Sequence, residues 1–175
     1  MPADQNDEQL RSAMRRFASG VTIVTLFDGA RDAGLTVSSF TSISLEPPII
    51  MIAINSGGSG AEALAGVTSF AVHILGIEHE ELSVRFAESI PWSRKAAGVP
   101  FSRGSSGVPI LDPIPTVIEA QVRSQVLVGT HHVIFGDVIG IRLDDPAPEQ
   151  PLLYYDRDYR TVERPSDRSA ENPSF

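Results

Sequence analysis

The chain has 175 residues, 14 Lys+Arg against 22 Asp+Glu for a net charge of −8, and no cysteine. One ordinary domain with a sizeable core fits that length. The missing cysteine excludes disulfides, thiolate catalysis and Cys-ligated zinc or iron–sulfur clusters, and the acidic field repels a nucleic-acid backbone.

MPADQNDEQL (1–10) lacks the basic and apolar regions of a secretory signal, and no apolar run approaches the roughly 20 residues that cross a bilayer. A cytoplasmic protein without membrane contact is the expectation. Leu10, Met14 and Phe17 recur at helical spacing, with Asp7 and Glu8 at the start and Arg15 and Arg16 near the end, as the helix dipole favours. This predicts a helix over 7–18, ended by Gly20, whose role is to cover one end of a sheet.

After Gly20 the period shortens. VTIVTLF (21–27) and GLTVSSF (34–40) read as a hairpin across a turn at Asp28-Gly29. SISLEPPIIMIAI (42–54) reads as a short segment 42–45, a break at Pro47-Pro48 and a buried strand 49–54. NSGGSG (55–60) is a glycine-rich loop before a short helix 61–66. SFAVHIL (69–75) is a strand, and EHEELSVRFAE (78–88) a helix with Leu82 and Phe86 four residues apart.

Residues 89–116, punctuated by Pro and Gly, read as a functional loop or flexible excursion. TVIEAQVRSQVLVG (116–129) alternates, with Val117, Glu119, Gln121 and Arg123 on one face and Ile118, Ala120 and Val122 on the other. HHVIFGDVIGIRL (131–143) is a second long strand with bulge or bend sites at Gly136 and Gly140. LLYYD (152–156) and YRTV (159–162) form a last short pair, and 163–175 is a polar tail expected to lack fixed structure. About seven strands with few helices predict a mainly β, closed or nearly closed antiparallel barrel over 1–162.

Chemistry concentrates in three places. GLTVSSFTSIS (34–44) carries six hydroxyl residues in an apolar context. It reads either as a polar edge strand facing water or as a backbone-and-hydroxyl cradle for a planar polar ligand. NSGGSG before a helix reads either as a serine-capped flexible loop or as an anion site, and lacks the Gly-Lys-Ser/Thr ending of a phosphate-binding P-loop. Of the histidines, His73 alternates into a strand as a structural residue and His79 sits exposed at a helix start. His131 and His132 point to opposite strand faces, so they do not share a metal. No Gly-x-Ser-x-Gly elbow places a hydrolase serine. Tyr154, Tyr155 and Tyr159 read as core-edge packing rather than a ligand cage.

MRRFASGVTIVT (14–25), AGLTVSSFTSISLEPPIIMIAI (33–54), SFAVHIL (69–75), RFA (85–87), GTHHVIFGDV (129–138) and PLLYYDRDYR (151–160) occur in an order that resembles the flavin reductase-like family, the short-chain reductases serving two-component flavin monooxygenases. The resemblance covers roughly 8–162. It implies an FMN-binding split barrel, usually a homodimer with flavin near the subunit interface. Thr36, Val37, Ser38 and Ser39, with Ser42 beyond them, would lie against the flavin ring and ribityl chain. Asn55, Ser56 and Ser59 would take the phosphate, Arg85 and Phe86 would approach its phosphate side, and Tyr155 and Arg157 would complete the cofactor set. His131 would lie by the nicotinamide. The chain departs from the family pattern at Gly60, where a threonine is usual, and at Thr130 and His132, which stand for aspartate and threonine.

The activity implied is NAD(P)H-dependent reduction of FMN or FAD, with reduced flavin passed to a partner monooxygenase. The alternatives are a split-barrel flavoprotein that reduces another acceptor such as ferric chelates, or a non-catalytic FMN-binding module.

Overall fold

The structure is a computed structural model that describes residues 3–57, 64–144 and 150–162. Helix α1 (Ala3–Met14) leads into β1 (Ser19–Gly20), β2 (Thr22–Phe27), β3 (Asp32–Val37), β4 (Phe40–Leu45), β5 (Pro48–Asn55) and β6 (Ser69–Ile74). A 3-10 turn (Ile77–His79), α2 (Glu80–Ala87), α3 (Trp92–Lys95) and the small pair β7 (Phe101–Arg103) and β8 (Pro109–Leu111) follow. Two 13-residue strands, β9 (Thr116–Val128) and β10 (His131–Leu143), precede β11 (Leu153–Tyr155) and β12 (Asp158–Arg160).

The main sheet runs β3-β2-β6-β9-β10-β5-β4, every pairing antiparallel. Its edge strands β3 and β4 are consecutive in the chain, joined only by Ser38-Ser39. That two-residue link brings the two edges of the curled sheet side by side, and the Ala53 amide of β5 donates to the Ser39 carbonyl at 3.1 Å, extending the β4–β5 ladder into the link. Val24, Leu26, Val37, Ile50, Ile52, Ile54, Phe70, Val72, Ala120 and Ile134 fill one interior from six strands. The result is a barrel left split beside the hydroxyl-rich segment.

Register shifts fall beside Gly136 and Gly140, at the two expected glycines of β10. A Cβ at Gly136 would stand 2.5 Å from the ring of Phe70, so glycine is what lets the bulged strand close on the core there.

Four expectations need correction. Helix α1 starts before residue 7 and ends at Met14, and Leu10, Met14 and Phe17 are 62%, 54% and 65% exposed, so this stripe covers no sheet. Residues 89–116 are not a loose excursion. They hold α3, β7 and β8 and form a second layer over β2, whose residues are nearly all buried. Polar pins fasten the layer in place of periodic apolar contacts. Lys95, the only lysine, donates to the carbonyls of Gly34 at 2.9 Å and Phe86 at 2.8 Å, and burial pushes its ammonium below the usual lysine range. Arg142 donates to the Leu111 and Ile114 carbonyls. Burial pushes the Glu119 carboxyl up, but hydrogen bonds from Ser106 and Ser105 outweigh it and hold the group below the usual glutamate range. His79 is buried, accepting the Gly76 amide at Nδ1 while Nε2 donates to the Pro113 carbonyl. Finally, the described residues form twelve strands: the barrel sheet holds the expected seven, and short strands in two flanking sheets add five. The expected helix 61–66 lies outside the described residues except for its end at 64–66, and the tail 163–175 lies wholly outside them.

Candidate functional site

The hydroxyl segment sits at the split. Ser39 donates from Oγ to the Ala53 carbonyl at 2.6 Å, alongside the backbone bond between the same residues. Two positions further along β5, Asn55 pairs directly with His131 of β10. Ser56 then donates from both its amide and its hydroxyl to the Thr130 carbonyl, at 2.9 and 3.0 Å. Asn55 Oδ1 accepts the Gly57 amide at 2.8 Å, which starts the glycine-rich turn. Ser39, Asn55, Ser56 and His131 are thus gathered along one rim of the barrel by three strands.

Residues opposite one another in antiparallel strands share a face. Ile52, Ile54 and Ile134 are buried in the barrel, so the alternate set, Ala53, Asn55, His131 and Val133, faces outward. His131 is exposed, and its Nδ1 lies 3.1 Å from Thr130 Oγ1. Thr130 thus offers a neutral partner to the imidazole. His132 points to the other face and meets Gln125.

Ser38 and Ser39 also border a cleft of about 460 Å³ that Arg11, Met14, Arg15, Phe17, Ser19, Tyr154, Asp156 and Arg157 complete. Helix α1 supplies one wall. The other is the β11–β12 hairpin, which is held by pairing of Ser19 with Tyr154 and by a 3.1 Å bond from the Asp156 amide to the Arg15 carbonyl. A smaller cavity of about 210 Å³ adjoins, lined by Val21, Thr36, Ser38, Ala87, Tyr154 and Tyr159.

Several expected site residues have other work. Val37 is a core residue whose carbonyl accepts Thr22 Oγ1. Thr36 lines the smaller cavity, but its hydroxyl is given to the Ser83 carbonyl at 2.6 Å. Phe86 is fully buried against Trp92 and Gly34 and its carbonyl is held by Lys95, so its side chain lies in the core. Arg85 donates to the Ala97 carbonyl at 3.0 Å, toward the second layer. Ser42 is exposed on β4 and borders neither cavity, and Tyr154 rather than Tyr155 lines both. Ser59 lies outside the described residues.

Sequence reading missed Arg11, Met14, Phe17 and Tyr154 at the cleft. The available signal is the Arg11/Arg15 pair, which four-residue spacing puts on one helix face. Among the described residues no three His, Asp or Glu side chains gather as a metal site, and no helix is long and apolar enough to cross a membrane.

The site has the size and the donors for a small polar ligand. The cleft falls in the roughly 300–1,000 Å³ range of small-molecule sites. The Ser38 hydroxyl makes no hydrogen bond among the described residues, and Ser39 keeps acceptor capacity.

Residues 14–163 match the model of the flavin reductase like domain. The chain is 36% identical over 155 residues to an NADH:riboflavin 5'-phosphate oxidoreductase of Streptomyces pristinaespiralis, covering 88% of this chain and 87% of the relative. It is 35% identical over 151 residues to an NADH:FMN oxidoreductase of Rhodococcus qingshengii, covering 85% and 78%. The fold superposes on nitrilotriacetate monooxygenase component B from Mycobacterium thermoresistibile with a TM-score of 0.83 at 27% identity, covering 98% and 93% of the two chains.

Proposed function

The chain belongs to the flavin reductase-like family, and from that premise we propose that it is an NAD(P)H-dependent flavin reductase supplying reduced flavin to a partner monooxygenase. The observation that carries this reading is the split itself: free and half-free hydroxyls of Ser38 and Ser39 open on a ligand-sized cleft within two strand positions of Asn55 and His131.

When bound, flavin would supply the hydride-accepting ring and the nicotinamide coenzyme the hydride. Ser38 and Ser39 would hold the edge of that ring by hydrogen bonds. Asn55 and Ser56, locked to Thr130, form the start of the phosphate turn. His131, steadied by Thr130 Oγ1, orients the nicotinamide and moves no obligatory proton. Hydride chemistry needs little acid–base help from the protein, which suits a rim of hydroxyls.

The protein acts as a homodimer in this proposal. Met51, Ala53, Val126, Val128, Val133 and Phe135 share the outward sheet face beside Asn55 and His131, and Val126 and Val128 are 49% and 57% exposed. Contiguous exposed apolar surface of this kind marks an interface.

The test is steady-state oxidation of NADH and NADPH with free FMN, FAD and riboflavin. The native chain turns over with added flavin, and Ser38→Val/Ser39→Val loses flavin binding while keeping its circular dichroism and a cooperative unfolding transition, with a midpoint lowered only by the loss of the Ser39–Ala53 bond. No turnover with any flavin, or unchanged flavin affinity in the double variant, overturns the reading. Turnover that needs a ferric chelate with tightly retained flavin selects the other-acceptor alternative.

A further inference from the structure

The cavity of about 210 Å³ beside the cleft is too small for a whole ligand, since small-molecule sites start near roughly 300 Å³. Ser38 borders both spaces, so the smaller one has room for one end of a ligand seated in the larger. Its polar lining comes from Thr36, Ser38 and Tyr159, with Val21 and Ala87 as apolar walls.

Proton accounting gives that lining a direction. Ser83 is fully buried in α2, and its hydroxyl has one partner among the described residues, the Tyr159 hydroxyl at 2.7 Å. A hydroxyl carries one proton, and a buried donor left unpaired costs its full desolvation. The Ser83 proton can be spent only on the Tyr159 oxygen, so Ser83 donates and Tyr159 accepts. The proton of Tyr159 is then uncommitted, on a side chain that lines the cavity. Edge-on contact with Tyr154 at 5.7 Å, and packing against the core cluster that holds Phe86 and Leu152, fix its ring. Thr36 is the opposite case. Its Oγ1 proton goes to the Ser83 carbonyl at 2.6 Å, so toward the cavity it can only accept. Ser38, whose hydroxyl makes no hydrogen bond among the described residues, can do either.

A cavity with a fixed donor, a fixed acceptor and one adaptable hydroxyl complements an edge on which carbonyls alternate with an N–H. The flavin ring has one such end, its imide, whereas its opposite end carries only methyl groups. We propose that Tyr159 is a specificity-determining residue whose hydroxyl donates to a carbonyl of the flavin imide, and that Ser83 is a positioning residue acting through it. The proposal rests on the flavin-reductase reading and adds which end of the ring enters the small cavity and which side chain reads it. Ser83 borders neither space, yet it sets the proton of the residue that does. The second layer thereby takes part in ligand choice.

The experiment titrates the full chain with riboflavin and with N3-methylriboflavin, read by quenching of flavin fluorescence, which needs no turnover. The native chain prefers riboflavin by roughly tenfold or more, because the added methyl removes the imide N–H and crowds the cavity. Tyr159→Phe removes only the hydroxyl and weakens riboflavin roughly tenfold, the scale of one hydrogen bond. Ser83→Ala weakens it less, since the tyrosine proton is still present but free to turn. Ser83→Ala/Tyr159→Phe binds no more weakly than Tyr159→Phe alone, because Ser83 acts only through the tyrosine. The double variant strands no buried proton, so its thermal midpoint lies above that of Tyr159→Phe and loss of folding does not explain its weak binding. Equal affinity for the two flavins overturns the proposal. So does riboflavin affinity within twofold of native in Tyr159→Phe, or losses that multiply in the double variant. A chain that gives any of those results while oxidising NAD(P)H keeps the reductase reading. A chain that shows the preference and oxidises no NAD(P)H loses that reading and keeps the imide site. Failure to bind either flavin overturns both.

Discussion

His73 shows how much one side chain can decide. It is fully buried, with Nδ1 donating to the Ile23 carbonyl at 3.0 Å and Nε2 accepting the Leu111 amide at 2.9 Å. Only the neutral ring with its proton on Nδ1 satisfies both; a second proton would set an N–H against the Leu111 N–H. Burial accordingly drives its pKa from 6.5 down to about 4. Because the folded pKa lies below the unfolded value, the unfolded chain binds more protons between those two values. Stability from this group is therefore present above pH 6.5 and is lost as pH falls toward 4, by roughly 3 kcal/mol. Urea unfolding between pH 7 and pH 4 should show that loss in the native chain and a flatter dependence in His73→Gln. Parallel curves for the two proteins would show that His73 does not carry it. The strand alternation of SFAVHIL suffices to read His73 as structural. The burial of His79 is not legible in the same way, because its partners Gly76 and Pro113 meet only through the second layer.

At the scale of elements, β9 and β10 are legible because alternation and two glycines mark both the faces and the bulges. The region 89–116 is not, since what holds it is a set of point contacts: an ammonium on two carbonyls, a guanidinium on two more, and a carboxylate in a serine turn. Such pins have no period in sequence. Helix α1 misleads for a different reason. Its apolar stripe has the spacing of a buried face, yet the cleft beside it leaves Met14 and Phe17 open. For the barrel itself Gly136 is the sharpest test. An added Cβ would meet Phe70 at 2.5 Å and Ala120 at 2.9 Å, and Phe70 is fully buried with nowhere to swing. Gly136→Ala should therefore destabilise by roughly 1–3 kcal/mol in urea unfolding. Gly20→Ala, which meets nothing within 4 Å, should stay within about 0.5 kcal/mol. Phe70→Leu should rescue part of the first loss, as residues in contact couple. Equal effects at the two glycines would mean the core yields where the packing says it does not.

At the scale of the whole molecule, the site is built on an edge. The rim that gathers Ser39, Asn55, Ser56 and His131 also borders an outward apolar face, and the barrel is split rather than closed at that point. A single chain leaves His131 exposed and Val126 and Val128 half bare. A second copy laid on this face would cover the valines and wall the nicotinamide side of the site. Burying that apolar surface contributes roughly 25 cal/mol per Å² before association costs. Two like charges placed on the face reverse the balance, because a symmetric interface doubles every substitution. Val126→Arg/Val128→Arg should thus shift the protein from dimer to monomer by light scattering at micromolar concentration. Its flavin-dependent oxidation of NAD(P)H should fall at least tenfold, and its thermal midpoint should become independent of protein concentration. A dimer that persists in the variant places the interface elsewhere on the barrel. A monomer that keeps full turnover shows that one chain completes the site alone.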